Sequence, residues 1–228
     1  MLELIRTYGL YYLIGQYPNG PLGGLVLTLL LATAGLVLAL PAGILLGLCR
    51  VSPFRVLRWP ATAGLRGARH APADGDLLAY FLLPTLTGQR TDQFNTMLTA
   101  LVIFDGAYLA EIVRAGIQAL PRGQMESARS LGLPYLHAMR LVILPQALRN
   151  MLPSLVNQLV STIKETSLGY IISLPEVSFV GQISTAVMTQ SAEVYGLLAL
   201  SYFAMCFGLT RVAFLLERRL AARALTQP

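Results

Sequence analysis

A chain of 228 residues is long enough for one domain, and with 55% hydrophobic and only 12% charged residues it is too apolar for an ordinary soluble domain of that size. The net charge of +6 comes with arginines gathered at the ends of apolar runs rather than interleaved with aromatics on one face. That distribution argues against nucleic-acid binding and for a multi-span membrane protein oriented by its positive loops. Cys49 and Cys206 sit at or inside apolar runs without metal spacing and read as packed, unpaired thiols.

Residues 1–21 form an amphipathic segment with Leu2, Ile5, Tyr8 and Tyr12 on its apolar side, closed by Pro18-Asn19-Gly20-Pro21. Its tyrosines suit the membrane–water boundary, so an external interfacial helix is expected. With no basic n-region and no small-residue cleavage site, it does not read as a removable signal peptide. Residues 22–48 are an apolar run longer than the ~20 residues that cross a bilayer. Within it, Gly43-x-x-x-Gly47 places two small residues one turn apart, where a second helix could approach closely. Arg50, Arg55 and Arg58 follow at once, which puts this end in the cytoplasm and the N-terminus outside.

The next long apolar run, residues 97–120, also ends in a cytoplasmic stretch, so a return crossing is required between Arg58 and Asn95. Residues 65–76, LRGARHAPADGD, do not supply it, because charges at mid-membrane are costly and residues 77–84 are too few to span. His70, Asp74 and Asp76 in this interval have no further ligands nearby to make a metal site. The genetic code offers an explanation. Codons permitted by residues 65–78, read one base later, give Y-V-E-R-G-T-P-L-L-M-V-I-F, which runs straight into Tyr80-Phe81-Leu82-Leu83-Pro84 and makes an apolar span. A pair of compensating frameshifts near Gly64 and Ala79 is the expectation; with the residues as written, the second span is damaged.

Arg149 marks the cytoplasmic entry of a further span, residues 148–174, which carries Asn157, Gln158, Lys164 and Glu165. Such groups are expensive in lipid and should face a protein interior or an aqueous path. Lys164 and Glu165 lie about 100° apart on a helix and need not pair with each other. Pro175 ends the run, residues 176–193 read as an external, partly helical segment, and residues 194–216 form the last span. Glu217, Arg218, Arg219 and Arg223 close that span in the cytoplasm. The expected fold is an all-α membrane protein of about five transmembrane helices. Residues 22–219 make the membrane domain and residues 220–228 a cytoplasmic tail.

No Gly-x-x-x-x-Gly-Lys phosphate loop occurs, and Lys164 is the one lysine, so the chain does not read as an ATPase. No zinc spacing, nucleophile elbow or catalytic carboxylate pair is present either. No catalytic or metal-ligating residue is assigned, no cofactor is expected in the chain, and energy has to come from a partner.

The most informative stretch is the cytoplasmic one, residues 121–145: a Pro-Arg-Gly break, a short polar helix ending at Gly132, then a second short helix opened by Pro134. It should form a helix-turn-helix knuckle. Its spacing, Glu126-Ser127-Ala128, Gly132, then Val142-Ile143-Leu144-Pro145, resembles the cytoplasmic loop of ABC-importer permeases, with Ser127 and Val142 as size-preserving departures. The flanks AYLAEIVRAGIQ (107–118), PRGQ (121–124), ILPQALR (143–149) and KETSL (164–168) narrow the resemblance to the polar amino-acid branch. FLLP, GAYLAEIVRAGIQ and SLPEVSF look most similar to glutamate/aspartate permeases, with glutamine, arginine and histidine left open.

The resemblance implies that the knuckle inserts into a cleft on a cytoplasmic ATP-binding subunit. Glu126, Ser127, Ala128, Gly132, Leu144 and Pro145 would form the coupling site, with Glu126 contacting the ATPase, Ala128 packing and Gly132 allowing the turn. It implies as partners an ATPase dimer that binds ATP and Mg, a second identical or homologous permease, a periplasmic amino-acid-binding protein and the inner-membrane bilayer. Asn157, Lys164, Glu165, Thr166 and Ser167 are candidates for lining the substrate path, against a structural reading as interhelical hydrogen-bonding groups. An ion-gradient secondary transporter is the rival from another class, although no internal repeat is visible. An inactive structural subunit is a further alternative if residues 65–76 are translated as written.

Overall fold

The structure is a computed structural model that describes residues 9–52, 54–68, 92–187 and 191–225. The proposed shifted interval from residue 69 onward, with His70, Asp74 and Asp76, lies outside them, as do residues 1–8 of the amphipathic segment. The named helices are α1 (Gly24–Val51), α2 (Arg55–Ala68), α3 (Gln93–Gln118), α4 (Arg122–Ser130), α5 (Tyr135–Ala138), α6 (Leu144–Glu165), α7 (Val177–Val187) and α8 (Ser191–Leu225). Among the described residues the backbone pairings outside helices are two isolated bridges, Gly15 with Leu22 and Gly24 with Glu176. The all-α membrane class follows. Three described helices are long and apolar enough to cross a bilayer: α1, α3 and Ala192–Leu215 within α8. The count of about five is not reached on that measure, because α6 has the length but is interrupted by Arg149, Asn150, Asn157, Gln158 and Lys164.

α1 and α3 pack closely and in parallel. A Cβ added at Gly35 would meet Leu101, at Gly43 would come within 2.4 Å of Leu109 Cβ, and at Gly47 within 2.7 Å of Val113 Cβ. Each of these pairs is separated by the same sequence offset, so the two helices run side by side in the same direction. The Gly43-x-x-x-Gly47 motif therefore lies at a close helix approach, where van der Waals packing replaces a hydrophobic driving force. Being parallel, α1 and α3 both start at the end of the bundle away from the knuckle. α3 starts at Gln93 rather than at residue 97, because Asp92 caps it: its side chain accepts from Asn95 N and its carbonyl from Thr96 N at 3.0 Å.

α6 runs antiparallel along α3. Near the knuckle, Val113 and Ile117 share a core with Met139, Ile143, Ala147 and Met151. At the other end Met97 and Leu101 meet Ile172 and Leu174, together with Leu27 and Leu31 of α1. Leu36, Ala39 and Leu109 fill the middle. α8 packs against α6 and continues to Leu225, past the Glu217-Arg218-Arg219 cluster where the tail was expected to begin. Leu, Ala and Arg dominate residues 218–225 and are strong helix formers, so nothing in the sequence stops the helix there.

The second helix of the knuckle is not separate from the span that follows. α5 passes through a wide π turn, Met139–Ile143, directly into α6, and a 3₁₀ turn, Thr166–Ile172, extends it to the left-handed Ser173. Pro145 explains the widening. It has no N–H to donate and its ring would collide with the carbonyl four residues back, so an extra residue is taken into the turn and Leu144 N–H bonds Met139 O instead.

At the opposite end of α1 from the knuckle, Tyr12 is buried among Val177, Val180 and Val194, so this ring packs inside the protein rather than at a lipid boundary. Glu176 sits beside it, outside the three long apolar helices and fully buried, and caps α7. Its Oε2 accepts from Ser178 N at 2.8 Å and its Oε1 from Phe179 N at 2.9 Å, with Tyr202 OH 3.4 Å from Oε2. Burial outweighs these donors and pushes the carboxyl up to about 7.

Gly43→Leu is expected to force α1 and α3 apart and cost about 1–3 kcal/mol, whereas Gly208→Leu, which meets open space, should leave stability unchanged. Equal thermal unfolding of the two variants in detergent would contradict the packing. Glu176 gives a second expectation. The folded chain holds this proton more tightly than the unfolded chain, whose carboxyl titrates near 4.5. The contribution of Glu176 is thus most favourable below 4.5 and declines as pH rises through about 7. The Tm difference between the parent chain and Glu176→Gln should change in the parent's disfavour across that window; a constant difference would refute the assignment.

Candidate functional site

The knuckle is built by local backbone chemistry. α4 ends in a Schellman turn: Gly132 N bonds Arg129 O at 3.0 Å, Leu133 N bonds Ala128 O at 3.3 Å, and Gly132 takes φ +83. Glycine reaches that conformation without the steric cost a side chain would add. Pro134 then opens α5 from an extended backbone. The side chains of α4 divide into two faces. Ala128 is buried and Met125 half-buried, while Glu126, Ser127, Arg129 and Ser130 are exposed. Gln146 at the start of α6 donates to Gln124 Oε1 at 3.2 Å, tying α4 to the helix it precedes. Beneath α4 a groove of ≈ 550 Å³ is lined by Val51, Ile117, Pro121, Met125, Tyr135 and Met139. Burial here also raises the Tyr135 phenol above its usual range. Leu144 is half-buried and Pro145 exposed at the α6 entry.

The structure therefore brings Glu126, Ser127 and Gly132 to one exposed surface, with Ala128 turned inward. The same end of the bundle holds an ionic cluster to which the sequence reading gave no role. Glu111 on α3 pairs with Arg50 at the end of α1 and with Arg114 one turn on, and Arg114 also reaches Gln118. Its signal lay in AYLAEIVRAGIQ itself, where Glu111 and Arg114 stand at the i,i+3 spacing that puts opposite charges on one helix face.

Along α6 the candidate path residues separate. Asn157 and Lys164 are exposed and seven residues apart, on one face. Asn150, Ser154 and Ser161 are exposed on the same face, so the spacing 150, 154, 157, 161, 164 draws a polar stripe down the helix. Thr166 is fully buried and donates to Ile163 O at 2.7 Å; Ser167, half-buried, donates to Lys164 O at 2.6 Å. Glu165 is half-buried beside the stripe. Gln158, a quarter-turn away from it, points inward to Asp105 of α3. Asp105 is a buried acid to which the sequence motifs assign no role, although a carboxylate inside an apolar run is itself a signal.

A family model described as "Binding-protein-dependent transport system inner membrane component" matches residues 74–222. The chain is 38% identical over 218 residues to the inner membrane amino-acid ABC transporter permease protein YhdY of Escherichia coli (strain K12), covering 93% of this chain and 59% of that relative. The chain thus spans only a little over half the length of YhdY. With the arginine transport system permease protein ArtQ of Bacillus subtilis (strain 168) it shares 36% identity over 200 residues, covering 87% of this chain and 91% of ArtQ. A crystal structure of an amino acid ABC transporter with histidines matches with TM-score 0.80 and 34% identity, covering 86% of this chain and 92% of the solved one. A family model that takes in most of the chain, and full-length relatives that share its sequence and its helix arrangement, make this protein a member of the binding-protein-dependent inner membrane transport components, in their polar amino-acid ABC permease branch.

Proposed function

We propose that this chain is the membrane-spanning subunit of an ATP-driven importer for polar amino acids, with glutamate or aspartate favoured. It works beside a second permease, two cytoplasmic ATP-binding subunits that carry ATP and Mg, and a periplasmic binding protein. The observation that supports this reading best is the polar stripe of α6. A helix packed among membrane spans cannot leave Asn150, Ser154, Asn157, Ser161 and Lys164 against hydrocarbon, so the stripe requires an aqueous path or a facing subunit.

The stripe's one charge is the ammonium of Lys164, which suits a carboxylate better than a cationic side chain. The exposed face of α4 is the docking surface for the ATP-binding subunit. Glu126, Ser127 and Arg129 present polar contacts there, and Ala128 and Met125 anchor the helix to the bundle behind it. In this arrangement the knuckle lies in the cytoplasm and the α1 N-terminus outside, as the arginines after α1 and at the end of α8 favour.

A cysteine at Ser130, on the exposed face, is expected to crosslink to the ATP-binding subunit in the assembled transporter, and absence of product in an intact complex would sink the docking assignment. Lys164→Ala is expected to abolish most uptake of glutamate in proteoliposomes while leaving assembly normal. Unchanged uptake would count against the path, and loss of glutamate uptake with arginine uptake retained would support the acidic preference.

A further inference from the structure

Asp105 lies in the body of α3, fully buried, where α1, α3 and α6 meet. Its Oδ1 accepts from Gln158 Nε2 at 2.9 Å and stands 2.8 Å from Thr162 Oγ1. Its Oδ2 has no hydrogen-bond partner and faces Gly35 of α1. Thr162 Oγ1 is also 2.9 Å from the Gln158 carbonyl. A threonine has one hydroxyl hydrogen, and here two acceptors lie within reach. Thr162 donates to Asp105 Oδ1 with the Gln158 carbonyl also in reach, so Asp105 Oδ1 accepts from two side chains of α6.

Gln158 and Thr162 lie about 100° round α6 from the stripe of Asn157, Ser161 and Lys164. We propose that Asp105 is a positioning residue that fixes the rotation of α6 and so aims the stripe. The assignment rests on the reading of that stripe as the substrate path. Asp105 does not touch the substrate; it acts through Gln158 and Thr162. Apolar packing alone leaves a helix free to roll between neighbouring ridges, whereas two hydrogen bonds inside a low-dielectric bundle select one setting.

The test uses the assembled transporter in proteoliposomes, with Cys49 and Cys206 replaced by alanine and a single cysteine at Ser161. Its labelling by a water-soluble maleimide reports the setting of α6, and the substrate KM is read in parallel. Asp105→Ala is expected to lower the labelling rate severalfold and raise KM about tenfold, with turnover at saturation changed less. Asp105→Asn, which can donate and accept without charge, should restore both. Thr162→Val, of similar shape but without the hydroxyl, should reproduce the labelling change and decides the matter if Asp105→Ala does not assemble. Parent-like labelling in Asp105→Ala or Thr162→Val overturns the proposal, and so does failure of Asp105→Asn to rescue, because an amide oxygen there can accept the same two hydrogen bonds. Lys164→Ala, assayed beside these, separates the two readings: normal uptake by it removes the path, while altered Ser161 labelling in Asp105→Ala still registers a rotated α6.

Discussion

The contact between α1 and α3 is the constraint on which the rest of the structure depends. Gly35, Gly43 and Gly47 remove the side chains that would hold the two backbones apart, and Leu101, Leu109 and Val113 occupy the space released. Because the helices are parallel, the pair fixes which ends of the bundle are alike. The ionic cluster of Arg50, Glu111 and Arg114 and the knuckle fall at one end, and the buried Tyr12 and Glu176 at the other. The shallow channel along the pair is then filled by α6, which adds apolar contacts at both ends and polar ones in between. Remove the close approach and α6 loses the surface it is fitted to.

Polar groups within the bundle are treated in two ways, and the contrast carries the functional reading. Thr28, Asp105, Gln158, Thr162 and Thr166 are buried and spend their hydrogen bonds inside the protein. Asn157, Ser161 and Lys164 are on the same helix as two of these and are left open. A hydrocarbon environment tolerates the first group and rejects the second. The single chain is thus incomplete as a membrane object, and its family membership identifies the kind of assembly that completes it. The large apolar residues left exposed on α8, among them Phe203, Phe207 and Phe214, have no such conflict and fit either lipid or a neighbouring helix.

Much of this was legible in the residues. The long apolar runs became α1, α3 and the core of α8, the small-residue motif lies at a close helix contact, and the glycine after the polar helix takes positive φ. Each of those signals is local, set by burial or by the conformational freedom of one residue. What escaped was set at a distance or by register. The boundary between knuckle and span dissolved because Pro145 can be absorbed by a widened turn, which no propensity reports. Tyr12 was placed at the membrane surface because its partners Val177, Val180 and Val194 are far away in sequence. Asp105 went unnoticed because its partners sit on another helix, and α8 outran its basic cluster because arginine ends a membrane crossing without ending a helix.

The widened turn at Met139–Ile143 has a mechanical consequence. It keeps hydrogen bonds running from Tyr135 into α6, so the knuckle and the polar helix are one stiff beam of about 45 Å at 1.5 Å per residue. The beam is gripped towards the end away from the knuckle, where Asp105 meets Gln158 and Thr162. A stiff rod held near one end behaves as a long lever: a displacement of several ångströms at the knuckle end becomes a small tilt at the grip. Force applied to the loop would therefore arrive at the Asp105 contact without being dissipated in a flexible joint.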